Sequence, residues 1–161
     1  MFNLKAEFYL KIIFLFSFIA LISAFFIEYI LGHQPCNLCL IERIPYGLSI
    51  MIIMAIFLIR KNQKFLVMLL ILTFIFSFAI SFYHFGIEQG FFQESSVCGV
   101  KSSTEIFTKE DLLKQLSEKT ISCKDVTFRI FGLSLTSINI VISLLFITTL
   151  LKIFKKYEKN K

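Results

Sequence analysis

The sequence predicts an all-α membrane protein, a bundle of four transmembrane helices, and three observations carry that prediction. Hydrophobic residues make up 57% of the 161, with 21 Phe, and only 17% are charged. A mean hydropathy of +0.78 is too high for an ordinary water-soluble domain. The apolar residues fall into four runs that match the roughly 20 helical residues needed to cross a hydrocarbon core. Lysines and arginines gather beside those runs on what reads as one side. Taken as a single domain over residues 1–161, the chain is predicted to have spans at about 12–31, 40–59, 65–85 and 130–151, with loops 32–39 and 86–129 on the opposite side.

The first run, Ile12 to Leu31, exceeds the apolar region of a signal peptide, and no small-x-small cleavage pattern follows it, so it reads as a retained span. Lys5 and Lys11 precede it, Arg60, Lys61 and Lys64 join spans two and three, and Lys152, Lys155, Lys156, Lys159 and Lys161 follow span four. The positive-inside rule therefore predicts cytoplasmic termini and a cytoplasmic 60–64 loop. In the 86–129 loop the six Lys/Arg are balanced by seven acids, so the net charge of +6 sits largely on the inner side. The pI of 9.2 needs no nucleic-acid partner, because no basic stripe with interleaved aromatics stands outside these flanks. The partner that this charge pattern implies is the lipid bilayer.

All four cysteines face the outer compartment: Cys36 and Cys39 in the first loop, Cys98 and Cys123 in the second. If that compartment is a periplasm, it is oxidising, and an even number of loop cysteines favours disulfides over metal. A four-cysteine zinc site usually uses two tight pairs, and the 98 to 123 separation leaves only one, so no metal site is predicted. Two inert structural staples are the competing reading of the same sulfurs. No cysteine lies in a span or on the inner side. Electrons that enter at the outer loops must leave through something lipid-soluble.

Span two contains Pro45, which removes the amide that would bond to Ile41. With Pro45 at the first helical position, 15 residues remain before Arg60, too few to span. A start nearer Cys39 is expected. That start places Cys39 and Arg43 at i and i+4 on one helix face, where the cation and the helix dipole both favour a Cys39 thiolate. Glu42 is expected to point about 100° from Arg43, toward solvent or headgroups. Glu28, near the outer end of span one, is expected to make a structural hydrogen bond or to reach water, since a carboxylate in a span is costly. In the long loop, "TKEDLLKQLSEK" reads as a short amphipathic helix capped by Thr108, with Leu112, Leu113 and Leu116 on its apolar edge.

The stretch "PCNLCLIERIPYG" resembles the P-C-x-L-C-x-x-x-R-x-x-x-G signature of the disulfide bond formation protein B (DsbB) family of quinone-dependent thiol oxidases. The likeness covers nearly the whole chain: four spans, a CxxC in the first outer loop, a second cysteine pair in the long loop, and "FGLSL" entering the last span. The resemblance implies a catalytic role for Cys36, Cys39, Cys98 and Cys123, paired as Cys36–Cys39 and Cys98–Cys123. It implies that a membrane quinone, ubiquinone or menaquinone, reoxidises the inner pair, with Cys39 against the ring and Arg43 supporting it. His84, in "SFYHFGIEQ", falls at about the place of a quinone-side histidine. Cys98 and Cys123 match the pair that exchanges with a periplasmic, DsbA-like thioredoxin-fold partner.

The implied setting is the bacterial inner membrane, and the implied role is support of protein disulfide formation. A vitamin K epoxide reductase-like protein also couples loop cysteines to quinone, but it carries its CxxC at a later span, so the order of cysteines argues for the DsbB likeness. A non-enzymatic, disulfide-braced scaffold is the alternative from outside the enzymes.

Overall fold

The computed structural model describes residues 4–59, 62–93, 123, 129–130 and 133–159. It has the predicted class: four helical segments are long and apolar enough to cross a membrane, namely Ala6–Tyr29, Asn37–Leu58, Gln63–Glu88 and Leu135–Lys156. Cys98 and the amphipathic helix expected over 108–119 lie outside the described residues.

The first helix, α1, runs from Leu4 to Tyr29, so it begins before the apolar run on which its prediction rested. Span two is built from two helices, α2 (Asn37–Ile41) and α3 (Ile44–Leu58), broken at Glu42 and Arg43. The chain does turn helical before Cys39, as expected, but it does not continue unbroken. Pro45 sits in the first turn of α3, where its fixed φ suits a helix start and its missing N–H would have gone unused. The break therefore falls where the proline would have cost a hydrogen bond. Cys39 lies in α2 and Arg43 caps α3, with the Arg43 N–H bonded to Leu40 O rather than to Cys39 O, so the two do not share one regular helical turn.

Helix α4 (Gln63–Glu88) ends in a Schellman turn at Gly90, whose φ of 78° is the left-handed conformation that glycine adopts without steric cost. Gly90 N–H bonds to Ile87 O at 3.0 Å and Phe91 N–H to Gly86 O at 2.8 Å. The turn folds Phe92 back onto Tyr83, with ring centroids 5.7 Å apart. Gly86 leaves room for it, since a Cβ there would stand 2.1 Å from the Phe92 ring.

Before the last helix, β1 (Arg129–Ile130) and β2 (Leu133–Ser134) form a short antiparallel hairpin. Helix α5 (Leu135–Lys159) therefore begins after Ser134 rather than at the expected Ile130. Ser134 Oγ accepts the Ser137 N–H at 3.2 Å, an N-cap that fixes the start and contributes about 1 kcal/mol.

Helix α4 lies between α5 and α3, and α3 in turn packs on α1. Leu10, Ile53, Ile56, Leu70, Phe74 and Leu150 are fully buried at this centre, whereas Met51 and Leu58 point outward, 70% and 76% exposed. Lipid tails are as apolar as leucine, so burial of apolar area does not select the partners of such helices. Close approach and polar contact do. The helices meet accordingly at small polar residues: Ser49 Oγ donates to Ser17 Oγ at 3.0 Å and Ser143 Oγ to Ser77 Oγ at 3.2 Å, all four side chains fully buried. Replacing Ser143 with Leu should force α5 from α4, at a cost of about 1–3 kcal/mol. Its thermal unfolding in detergent is expected below wild type, whereas Met51→Leu, on the outer face, leaves it unchanged.

Candidate functional site

The first outer loop reaches the bundle at Cys36, which caps α2. Its Sγ accepts the Cys39 backbone N–H at 3.2 Å, the place usually taken by a serine or aspartate oxygen. Cys36 is 6% exposed and Cys39 half-buried, and their sulfurs are not bonded to one another. From α4, His84 brings Nε2 to 3.6 Å from Cys36 Sγ. The sulfurs of Cys36 and Cys39 and a ring nitrogen of His84 all lie within 4.8 Å of one another.

His84, which the resemblance puts beside a quinone, is buried to 2% exposure, and both its nitrogens have partners within the protein. Nδ1 is 2.9 Å from Glu42 Oε1 and 3.3 Å from Thr136 Oγ1. With Nδ1–H donating to the carboxylate, Nε2 is free to accept the Cys36 S–H or, once protonated, to donate to the thiolate. A nucleophile, a base and a group orienting that base thus stand in a line, the arrangement by which enzymes manage the proton of a thiol. Glu42 belongs to this line, contrary to the expectation that it faces solvent. The break before Pro45 turns it inward, where Asn139 Nδ2 also donates to its Oε2 at 3.3 Å.

Arg43, the next residue, turns the other way. It forms an ion pair with Glu28 on α1 and lies over the Phe25 ring, 5.3 Å from its centroid. Phe25 and Glu28 are i and i+3 on α1 and so share a face. Glu28 thus has the hydrogen-bonding partner expected of it, and Arg43 is held between the span-two break and α1.

Five further residues carry no sequence-based expectation: Tyr46, Ser81, Glu88, Thr136 and Asn139. Asn139 donates to Ser81 Oγ at 2.7 Å and accepts from Tyr46 OH. Thr136 Oγ1 donates to Glu88 Oε1 at 2.7 Å. Glu88 Oε1 is also 3.9 Å from His84 Nε2, with the carboxylate side chain 6% exposed. Its second oxygen, Oε2, is buried without a hydrogen-bond partner among the described residues. A signal for these residues exists in the spacing. Ser77, Ser81, His84 and Glu88 repeat every three to four residues along α4, and Thr136, Asn139 and Ser143 do so along α5. Polar stripes of that period in apolar helices mark the faces turned toward each other.

Cys123 is 2% exposed and packs in one buried cluster with Cys36, Leu38 and Ile87. The structure thus gathers Cys36, Cys39, His84 and Cys123 at one end of the bundle. Burial and the hydrogen bond shared with Cys39 hold the Cys36 thiol well above the ordinary thiol range.

Two cysteines at a helix start, one buried and one half-buried, beside a histidine and a carboxylate in a four-span membrane bundle, suit a membrane thiol–disulfide oxidoreductase. The family model for "Disulfide bond formation protein DsbB" matches residues 6–153, and the chain belongs to that family. It is also 32% identical over 130 residues to "Uncharacterized protein RP370" of Rickettsia prowazekii (strain Madrid E), a match covering 80% of this chain and 76% of that protein. The protein is a multi-pass membrane oxidoreductase of disulfide bond formation.

In the reduced protein an alkylating reagent at neutral pH is expected to label Cys39 ahead of Cys36 by more than about tenfold, because each unit of raised pKa removes tenfold of reactive thiolate. A raised pKa keeps the thiol protonated over a wider range. Labelling of Cys36 should therefore still climb above about pH 10, where an ordinary thiol with a pKa near 8.5 has levelled off. Peptide mapping by mass spectrometry checks both.

Proposed function

We propose that this protein oxidises a periplasmic, DsbA-like thioredoxin-fold dithiol protein and passes the electrons to the membrane quinone pool, with both termini cytoplasmic in the bacterial inner membrane. The observation that carries the reading is the convergence of Cys36, Cys39 and His84 at one end of the bundle. The charge pattern supports the orientation: Lys64, Lys152, Lys155 and Lys156 stand at the ends of α4 and α5 away from the sulfurs.

The relay begins when a partner thiolate attacks Cys98 and expels Cys123 from the Cys98–Cys123 disulfide. Cys123 attacks Cys36, and Cys39 leaves with the bonding electron pair; the partner's second thiolate then displaces Cys98 to complete the partner disulfide, and Cys98 attacks Cys123, restoring the outer disulfide and releasing Cys36 as the second thiol of a reduced inner pair. Re-formation of the Cys36–Cys39 bond gives up two electrons. For each partner disulfide made, two electrons and two protons move on to quinone, which becomes quinol. The burial of Cys123 beside Cys36 supports its role as the sulfur that carries the exchange inward.

The residues present fit a quinone, whose two carbonyl oxygens accept hydrogen bonds. On this reading Arg43, on the α1 side of the break in span two, and His84, on the α4 side, would each offer a donor to it, and when bound it would supply a two-electron, two-proton acceptor. His84 holds or releases a proton at Nε2 as the Cys36 thiol forms and ionises. Glu42 keeps the ring in place, and Arg43, itself fixed by Glu28 and Phe25, offers a permanent cation at the start of α3.

The purified protein should oxidise a reduced thioredoxin-fold partner only when quinone is supplied; turnover without quinone, or none with it, sinks the proposal. In the same assay Arg43→Ala should raise the apparent KM for quinone by about tenfold or more, the value of one lost hydrogen bond to a charged donor. Exchange between partner and Cys98 should be unaltered.

Cys98 is the entry point on this reading, because a bulky partner reaches the long loop more readily than sulfurs buried at the bundle end. A partner lacking its resolving cysteine should be trapped as a mixed disulfide at Cys98, lost in Cys98→Ser. Trapping at Cys36 or Cys39 instead would mean that the partner bypasses the second loop.

A further inference from the structure

The two inner sulfurs and His84 also form a set of ligands that redox chemistry alone does not require. We propose that the reduced protein captures a divalent zinc-type cation with Cys36 Sγ, Cys39 Sγ and His84 Nε2, and that this capture holds the inner pair in its dithiolate form. Tetrahedral zinc, with bonds of about 2.3 Å to sulfur and about 2.0–2.1 Å to nitrogen, sets its ligands about 3.6 Å apart for sulfur and nitrogen and about 3.8 Å apart for two sulfurs. Cys36 Sγ and His84 Nε2 are already 3.6 Å apart, and the three ligand atoms lie within 4.8 Å of one another. Small side-chain rotations close the remainder.

Two features beyond the ligands fit the same occupant. A metal-bound imidazole is normally fixed by a carboxylate on its other nitrogen, which selects the tautomer and raises the basicity of the ligating atom. Glu42 Oε1, 2.9 Å from His84 Nδ1, stands in that relation. Glu88 supplies the second feature. Its side chain is 6% exposed, with Oε1 3.9 Å from Nε2 and Oε2 unpartnered among the described residues, beside the place where the cation would sit. A buried carboxylate oxygen without a partner is costly, and a dication close by offsets that cost.

The charge balance is simple. Two thiols release two protons to water, two thiolates neutralise the dication, and no electrons move. The three protein ligands leave the fourth tetrahedral position to water. Redox state gates the site, because sulfurs joined in a disulfide have lost the anionic character that binds zinc. The cation thus competes with re-formation of the Cys36–Cys39 bond, and it acts only after the pair has been reduced. The proposal needs the dithiol alone and stands apart from the identity of the electron acceptor.

Cobalt(II) is the probe, since tetrahedral thiolate coordination gives visible ligand-field bands and a sulfur-to-metal absorption. The protein is the full chain in detergent with Cys98→Ser and Cys123→Ser, so that only the inner pair can bind. One equivalent of cobalt should be taken up by the reduced form, displaced by zinc, and none by the oxidised form. Glu42→Gln should weaken binding by about 10–100-fold, as loss of a supporting carboxylate does elsewhere. His84→Ala should remove the nitrogen ligand and shift the ligand-field bands. Absence of uptake by the reduced protein would overturn the proposal. So would uptake with unchanged affinity and spectrum in both His84→Ala and Glu42→Gln, since the metal would then rest on the cysteines alone.

Discussion

The site depends on the imidazole of His84, because one ring ties together three separate pieces of chain. It stands on α4, meets Cys36 ahead of α2, and reaches Glu42 at the break in span two and Thr136 on α5. Each of those groups is buried or nearly so, and without the ring Glu42 Oε1 would lose the hydrogen bond that its partner Asn139, on Oε2, does not replace. At the end of a membrane bundle such demands are expensive, whereas the apolar contacts between helices are almost as good with lipid as with each other. The polar network therefore specifies which helix faces which. From Glu42 it passes to Asn139, Ser81 and Tyr46, and the separate Ser77–Ser143 contact lies further along the same faces of α4 and α5, so that His84 and the structural register share one row of polar side chains.

Pro45 determines how span two meets that row. An unbroken helix from Asn37 to Leu58 would separate Glu42 and Arg43 by about 100° and fix both relative to Cys39. Both residues keep right-handed helical dihedrals through the break, so the two neighbours point apart, Glu42 toward α4 and α5, Arg43 toward α1. The carboxylate orients the histidine, and the guanidinium is held by an ion pair and an aromatic face. Either charge alone at this depth would be a liability; each has a partner supplied by a different helix.

Four spans were legible because about 20 apolar residues in sequence have few other uses, and the cysteines with Arg43 were legible because their spacing is rare. What was not legible depends on rotation about helix axes. Glu42 read as solvated because an ideal helix was drawn through a proline, and Glu88 was passed over although a carboxylate four residues from His84 in an apolar helix is itself a signal. The start of α5 was placed at Ile130 because hydropathy does not distinguish a strand from a helix over a few residues. The Ser134 cap, a local hydrogen bond, marks the true boundary. Hydropathy reports how much of the chain is in the membrane, and it is silent on which way each side chain looks.

The unequal surroundings of the two inner sulfurs bear on the direction of exchange. An attacking thiolate can strike either sulfur of a disulfide, and the faster route expels the sulfur that better carries negative charge. Burial, which persists when the sulfurs are bonded, disfavours charge on Cys36, so attack at Cys39 would have to expel the poorer leaving group. Attack at Cys36 expels Cys39, the more exposed of the two. Cys123 packs in the cluster that holds Cys36, so the favoured chemical outcome and the available geometry coincide. When the pair is re-formed Cys36 must give up its proton in that same low-polarity setting. Among the described residues, His84 Nε2, 3.6 Å away and braced by Glu42, is the acceptor in reach. On the proposed relay, the burial that favours attack at Cys36 also calls for a proton acceptor beside it, and His84 stands in that place.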